Sequence, residues 1–253
     1  MAALLPHAFN EKVTPILGSI RSTGVPSAHV PAAPPRVLPF ITISRQAGAG
    51  GHSLAEVLVK RLNEEVAGDD RHWQSFDREL VEKVAADHHI STQLIDSLED
   101  SSHSWLTEFF TGMSMRDDAS PSEMKVFHKV CATVRALAQA GRVVLVGCGA
   151  GFISTGMPGG VHVRLVAPFE RRVAMMGRLM NISLDAAATE VRRRDWNRQA
   201  FFARYWPGRP LNAEQFTMTL NSAQMSEEQM VTAVMGMVRN ETGALRRQVV
   251  APG

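Results

Sequence analysis

Between Ile41 and Ser53 the chain reads "ITISRQAGAGGHS": an apolar, β-branched run, a glycine-rich turn and a hydroxyl residue opening a helical pattern. That layout suits phosphate chemistry. In the full pattern G-x-x-x-x-G-K-[ST], backbone N–H groups cradle phosphate, the lysine reaches the terminal phosphates and the hydroxyl ligates magnesium. Here Arg45 stands in place of the first glycine and Gly51 in place of the lysine, so the Walker A loop is degenerate. Gly48, Ala49, Gly50 and Gly51 leave the backbone free to wrap an anion, Ser53 can offer its hydroxyl to a metal, and His52 at the loop exit can donate to phosphate when protonated. A tight structural turn accounts for the same residues, and the loop taken alone leaves both readings open.

A second source of positive charge lies downstream. From Arg164 to Arg209 there are ten arginines and no lysine against four acids, Glu170, Asp185, Glu190 and Asp195. Arginine suits bidentate contacts to phosphate. Arg194 and Arg198 are spaced i,i+4 and share one face of a helix, and Arg204 reaches the same region if the chain turns back after it. A solvated helix face is the alternative reading of "RRRDWNR". Other chemistry finds less support: His88 and His89 lack acidic or cysteine partners at metal-ligand spacing, Glu79 and Glu82 form no evident carboxylate pair, and no serine nucleophile elbow is present. Cys131 and Cys148 have neither metal nor redox spacing, which fits free thiols in a reducing compartment.

The elements that must position these residues alternate strand and helix. "VLPFITIS" reads as a buried first strand, Ser53 to Val66 as a helix, and "WQSFD" as a second strand ending at Asp77; helical patterns follow over 78–88 and 91–98. Residues 101–120 interrupt the pattern with Trp105, Leu106, Phe109 and Phe110 at helical spacing, either a small cap over a cleft or a surface helix packed on the body. Then come a helix from Ser122 to Ala140, the strand "RVVLVG" with its turn "GCGAGF", the strand "VHVRLVA", and a helix from Pro168 to Met180 whose Met175, Met176 and Met180 read as core filler. A helix from Asp185 to about Ala203, capped by Ser183, a strand "FTMTLNS" and a helix from Glu227 to Arg239 complete the pattern. Such alternation implies a mostly parallel sheet covered on both faces, with ligands beyond the carboxyl ends of its strands.

At 253 residues, with 45% hydrophobic and 21% charged residues and a net charge of +2, the composition is that of a soluble globular protein with no global basic field for nucleic acid. No apolar run approaches the roughly 20 residues of a membrane span, and the N-terminus lacks the pattern of a secretory signal, so a cytoplasmic protein is expected. Residues 1–36, rich in Pro and Ala, read as a flexible tail, 37–243 as the folded domain with a lid-like region at 183–209, and 244–253 as a C-terminal tail.

In the order and spacing of "ITISRQAGAGGHSLAEVLVKRL", "SFDRELVEKVA", "GRVVLVGCGAGFI", "VRLVAPFERRVA", "EVRRRDWNRQAFFARYW" and "LNSAQMSEEQMV", the chain resembles the cytidylate kinase-like branch of the P-loop nucleoside monophosphate kinases. The resemblance implies a three-layer α/β P-loop fold with a helical, arginine-bearing lid. It also implies ATP on the first loop, magnesium, and γ-phosphoryl transfer to CMP, dCMP or a similar small acceptor. It places Gly48, Gly50 and Ser53 in the phosphate loop, Asp77 and Arg78 near the acceptor, and Arg194 and Arg198 in the lid. Arg45 is a trait of this branch and could supply part of the missing lysine's charge. Two departures point the other way: Gly51 in place of the lysine, and Cys148 where the branch carries an arginine. They leave open a non-catalytic nucleotide-binding protein that keeps the fold. The expected partners are small nucleotides, with no membrane and no nucleic-acid polymer, and with a protein partner or a second copy possible in principle.

Overall fold

The computed structural model describes residues 37–66, 71–77, 81, 121–209 and 211–250. The expected tail at 1–36, the aromatic segment 101–120, and Arg78, Glu79, Glu82, His88 and His89 lie outside the described residues. Five parallel strands form one sheet in the order β2-β3-β1-β4-β5. They are β1 (Phe40–Arg45), β2 (Gln74–Asp77), β3 (Val143–Val146), β4 (Gly160–Val166) and β5 (Met218–Asn221). The helices are α1 (Gly51–Glu64), α2 (Pro121–Ala140), the short α3 (Ala150–Ile153), α4 (Phe169–Met180), α5 (Leu184–Tyr205) and α6 (Glu227–Val250).

The strands are apolar on both faces because both are covered, and their alternation divides the core. Ile41, Ile43, Val144, Val146, Val161, Val163 and Leu165 pack with Leu54 and Leu58 of α1 and with Met230, Val231 and Val234 of α6. Phe40, Phe76, Val143 and Leu145 face the other way, toward Val134 and Leu137 of α2 and Phe152 and Ile153 of α3. Burying a Leu, Ile or Phe side chain is worth about 1.5–3 kcal/mol each, so the two clusters fix the strand register. Ile43 pairs with Val146 on one side and Val163 on the other. A third, smaller cluster joins α4 and α5 to the glycine-rich turn: Val173, Met176, Ala187 and Val191 close over Ala47.

Four sequence expectations need adjustment. The first helix begins at Gly51, two residues before Ser53, because Gly50 (φ +86°) takes the left-handed cap position that lets the helix start inside the glycine run. The last helix continues to Val250, past the expected end of the domain, since one glycine in "ETGALRRQVV" costs only about 1 kcal/mol and no proline intervenes. Of the methionines on α4 only Met176 is core; Met175 and Met180 are 46% and 40% exposed, because the buried stripe of α4 runs through Arg172, Val173 and Met176. The arginine-studded helix is also longer than expected, from Leu184 to Tyr205, with Ser183 accepting a hydrogen bond from the Ala186 N–H at 3.3 Å as its cap. No helix among the described residues is long and apolar enough to cross a membrane.

Candidate functional site

The turn after β1 is held from behind, strand by strand. The Gln46 N–H donates to the Leu165 carbonyl at 3.0 Å, and the Gln46 side chain accepts from the Ala167 N–H at 3.0 Å. Both bonds lock the loop to the end of β4. Arg172 of α4, almost wholly buried, donates through Nε to the Ala167 carbonyl (3.0 Å) and through Nη1 to the Ala47 carbonyl (3.1 Å). Gly48 has φ +77°, and a Cβ there would run into the Arg172 carbonyl, so this position is glycine for two separate reasons.

The Ala47 N–H points to Asp195 on α5. Its Oδ1 accepts that bond at 2.7 Å, while Oδ2 accepts from Arg172 Nη1 at 2.5 Å and Oδ1 also takes a bond from Arg198 at 3.2 Å. One carboxylate thus ties the arginine helix to the glycine-rich loop. Charge-assisted bonds of this kind are roughly twice as strong as neutral ones.

Two cavities open on either side of this clamp. The smaller, of about 310 Å³, lies over Gly48, Ala49, Gly50, Ser53 and Leu54, with Arg171, Met175 and Arg178 of α4 and Ser222 and Ser226 beyond β5 completing its wall. Arg171, Met175 and Arg178 are spaced i, i+4, i+7 and fall on one helical face, about 10 Å from end to end. No side chain among the described residues caps the start of α1. Its first N–H groups and the positive end of its dipole therefore face a ready anion site. Counted from the Gly50 cap, the position after the missing lysine is His52. His52 is exposed and pairs with Glu56 at 3.4 Å, whereas Ser53, one residue further, lines the cavity. Among the described residues no three His, Cys, Asp or Glu side chains form a metal-binding group.

The larger cavity, of about 530 Å³, lies beyond the carboxyl ends of β1 and β3. Ser44, Arg45, Cys148, Arg193, Arg194, Asn197 and Arg198 line its polar side, and rings from α2, α3 and α5 stand with Ile43, Val126 and Val130 on its apolar side. Arg45 lines the larger cavity. Its stem packs on Gly51 at the start of α1, about 3.0 Å from where a Cβ would stand, and its guanidinium lies against Gly147. Arg45 thus leaves no room for a side chain at Gly51 or Gly147, and Gly147 is held to glycine also by its left-handed backbone (φ +87°). Arg194 donates to Glu190 at 2.6 Å, and Arg193 donates to the same carboxylate at 2.7 Å; these two arginines hold the Glu190 carboxyl down at about 2. Arg198 is pulled down by burial, against the opposing pull of Asp195.

The remaining expected residues are more scattered. Asp77, half-buried, ends β2. Arg204 is exposed, its guanidinium 5.9 Å from the Tyr205 ring centre, and it lines neither cavity. Cys148 lines the larger cavity in a left-handed conformation (φ +55°). Burial raises the Cys131 thiol well above its ordinary value, which leaves it inert as a nucleophile. Arg171, Arg178, Arg172 and Asp195 were not singled out from the sequence. The first two were detectable from their seven-residue spacing around Met175; the Asp195 clamp joins residues 148 positions apart.

Among solved structures, the fold resembles an uncharacterized protein from Eubacterium ventriosum. The alignment covers 80% of this chain and 98% of that one, with a TM-score of 0.58 and 14% identity. Shikimate kinase from Bacteroides thetaiotaomicron aligns over 80% and 96% with a TM-score of 0.39 and 14% identity, and shikimate kinase from Acinetobacter baumannii, in complex with shikimate, over 81% and 95% with 0.38 and 14%. No curated protein matches the sequence. With residues 40–224 matched by the family's sequence profile, over the five-stranded parallel sheet and the loop after its central strand, this chain belongs to the cytidylate kinase-like family.

Proposed function

We propose that the protein is a phosphotransferase that binds ATP over the Gly48–Ser53 loop and moves the γ-phosphoryl group to a small acceptor in the larger cavity. CMP and dCMP are the acceptors the sequence resemblance names. The observation that carries this reading is the position of Arg45. Its stem packs on Gly51, the first residue of α1, and its guanidinium lies against Gly147 in the wall of the larger cavity, so a cation stands on the acceptor side directly behind the loop.

In this reading the α1 N–H groups and Ser53 hold the donor phosphates, with Arg171 and Arg178 along the same cavity wall. Arg45, Arg194 and Arg198 offset the negative charge between the two substrates, and Asp195 keeps the arginine helix in register with the loop. Bound magnesium supplies charge neutralisation on the phosphates, with Ser53 as the protein oxygen available to it. Catalysis of phosphoryl transfer is largely positioning and charge stabilisation, which a lysine-free loop can still support if other cations reach the phosphates.

A second reading, a nucleotide-binding protein without chemistry, draws on one observation. Arg194 and Arg198 are already engaged by Glu190 and Asp195, and a phosphate must compete for them. A radiolabel assay with magnesium and γ-labelled ATP, offering CMP, dCMP, UMP, AMP and no acceptor, separates the two. Transfer to a monophosphate that collapses in Ser53→Ala and Arg198→Ala is expected. ATP binding with no transfer above the no-acceptor control, at high protein concentration, would establish the second reading instead.

A further inference from the structure

The wall of the larger cavity carries information that the phosphoryl-transfer reading does not use. α5 gives this cavity one continuous stripe: Arg193 and Arg194, then Asn197 and Arg198, then Phe201 and Phe202, then Tyr205. The cations occupy the N-terminal part of the stripe and the rings the C-terminal part. At 1.5 Å of rise per residue, about 6 Å separates the level of Arg198 from that of Phe202, and about 16 Å separates Arg194 from Tyr205.

The rings are braced from several elements. Phe202 meets Phe152 of α3 at 4.9 Å between ring centres, and Phe127 of α2 stacks on Tyr205 at 3.8 Å with the rings nearly parallel. Behind them Trp206 is buried, 5.4 Å from Phe202 and 5.3 Å from Phe152. Because each ring is fixed by its neighbours, a ligand stacking on this wall loses little to ordering side chains. Such a wall attracts a flat apolar body, since offset and edge-on ring contacts add about 0.5–1.5 kcal/mol beyond the area buried. At the other end of the stripe, planar guanidinium groups favour a bidentate anion. The volume lies within the roughly 300–1,000 Å³ usual for small-molecule sites.

We propose that the ligand of this cavity is an anionic arene, a flat aromatic ring joined closely to a phosphate or carboxylate, lying along α5 with its anion toward Arg194 and Arg198 and its ring against Phe201, Phe202 and Phe152. The proposal rests on reading this cavity as the acceptor side, and it replaces CMP and dCMP, which the sequence resemblance names, with an acceptor of a different class. In a nucleoside monophosphate the group next to the phosphate is a sugar, and its hydroxyls would come level with Phe201 and Phe202. Pressing hydroxyls onto ring faces gives up water hydrogen bonds, at about 1–3 kcal/mol for each one left unpaired. An arene attached directly to the anion places a carbon face there instead.

Calorimetric titration of the full chain, without ATP, tests this with four probes: naphthyl phosphate, naphthoate, CMP and inorganic phosphate. Naphthyl phosphate is expected to bind at least tenfold more tightly than either CMP or inorganic phosphate, and comparison with naphthoate tells which anion the rim prefers. Phe202→Leu, which keeps an apolar side chain at a half-buried position, is expected to weaken naphthyl phosphate several-fold and to leave inorganic phosphate unchanged. Val126→Glu, on the facing wall from α2 at a site 60% exposed and thus outside the core, is expected to weaken every anion. CMP binding as tightly as naphthyl phosphate, or naphthyl phosphate indifferent to Phe202→Leu, overturns the proposal. Arene binding that meets these expectations while no acceptor is ever phosphorylated would sink the phosphotransferase reading alone; transfer to CMP without arene preference would sink this one alone.

Discussion

Removing the carboxylate of Asp195 should loosen the joint between the arginine helix and the phosphate loop, and the size of the effect follows from its three bonds. Truncation to alanine leaves the Ala47 N–H without its acceptor, which costs about 1–3 kcal/mol for a buried donor. It also removes the counter-charge from Arg172, whose side chain is 9% exposed. Breaking a buried ion pair costs about 3–5 kcal/mol, but Arg172 keeps its bonds to the Ala167 and Ala47 carbonyls, and the Asp195 side chain is 24% exposed. The low end of each range therefore applies, for a total of about 3–4 kcal/mol. Asparagine keeps an oxygen for the Ala47 N–H but sets an NH2 donor against Arg172 Nη1, so Asp195→Asn should recover only the Ala47 share, about 1 kcal/mol of that total.

For a chain of this size each kcal/mol moves the melting temperature by about 2–4 °C, so the alanine variant should melt about 10 °C lower. Equilibrium unfolding in urea, monitored in parallel with thermal melting, gives the free energies. A double-mutant cycle with Arg172→Met should return a coupling of at least about 1 kcal/mol. Because Ala47 belongs to the loop, the affinity for ATP should fall further in the alanine than in the asparagine variant. A stability change below about 0.5 kcal/mol for Asp195→Ala, within the range of ordinary surface substitutions, would refute the clamp.

Other outcomes follow from the same geometry. Gly48→Ala must accept a left-handed backbone, about 1–2 kcal/mol, and a collision with the Arg172 carbonyl, whereas Gly50→Ala has the same backbone strain with open space around it. Thermal melts should therefore show Gly48→Ala clearly the worse of the two. Arg171→Gln and Arg178→Gln should each weaken ATP binding roughly tenfold, the scale of one charge-assisted hydrogen bond, and flatten its salt dependence by calorimetry. Burial holds His162 below its ordinary value, with Thr42 Oγ1 2.8 Å from its Nδ1. Its neutral form is favoured in the fold, so this contribution is complete above the unfolded value of about 6.5 and is lost as pH falls below it. Melting temperature should accordingly drop on acidification below that point, and His162→Asn should blunt the slope, leaving the part due to His128, which burial shifts in the same direction.

The sheet and the loop were legible because their causes are local. Continuous burial along "FITI" and "VVLV" needs two covered faces, and a glycine run between strand and helix needs left-handed backbone; both requirements fall within a few residues and leave a pattern that can be read directly. The charge arrangement was legible only in part. An excess of arginine over acid on 164–209 suggested free cations, but folding turns the acids back onto the arginines, Glu190 at three and four positions along its own helix and Asp195 onto Arg172 of the preceding one. The short-range pairs could have been foreseen from i,i+3 and i,i+4 spacing. The bond from the Ala47 N–H to Asp195 could not, since its donor is a backbone group and carries no side-chain signal.

Arg45 shows the same limit from the other side. Its place at the loop mouth was evident from sequence and invited the idea that it replaces the lysine at the β- or γ-phosphate. What directs it is the absence of two side chains, at Gly51 and Gly147, one in the loop and one at the end of a strand far along the chain. Gly51 read in sequence as freedom for the backbone near phosphate and Gly147 as part of a turn, yet in the fold each also clears a path for a single guanidinium. The pair makes a consequence: Gly147→Ala displaces the Arg45 guanidinium and, since Gly147 has φ +87°, also strains the turn after β3, so it is read beside Arg45→Ala, which removes the cation without that strain. An acceptor-side loss with donor binding intact is what a cation on the acceptor side requires. A matched loss of ATP affinity would instead place Arg45 with the donor.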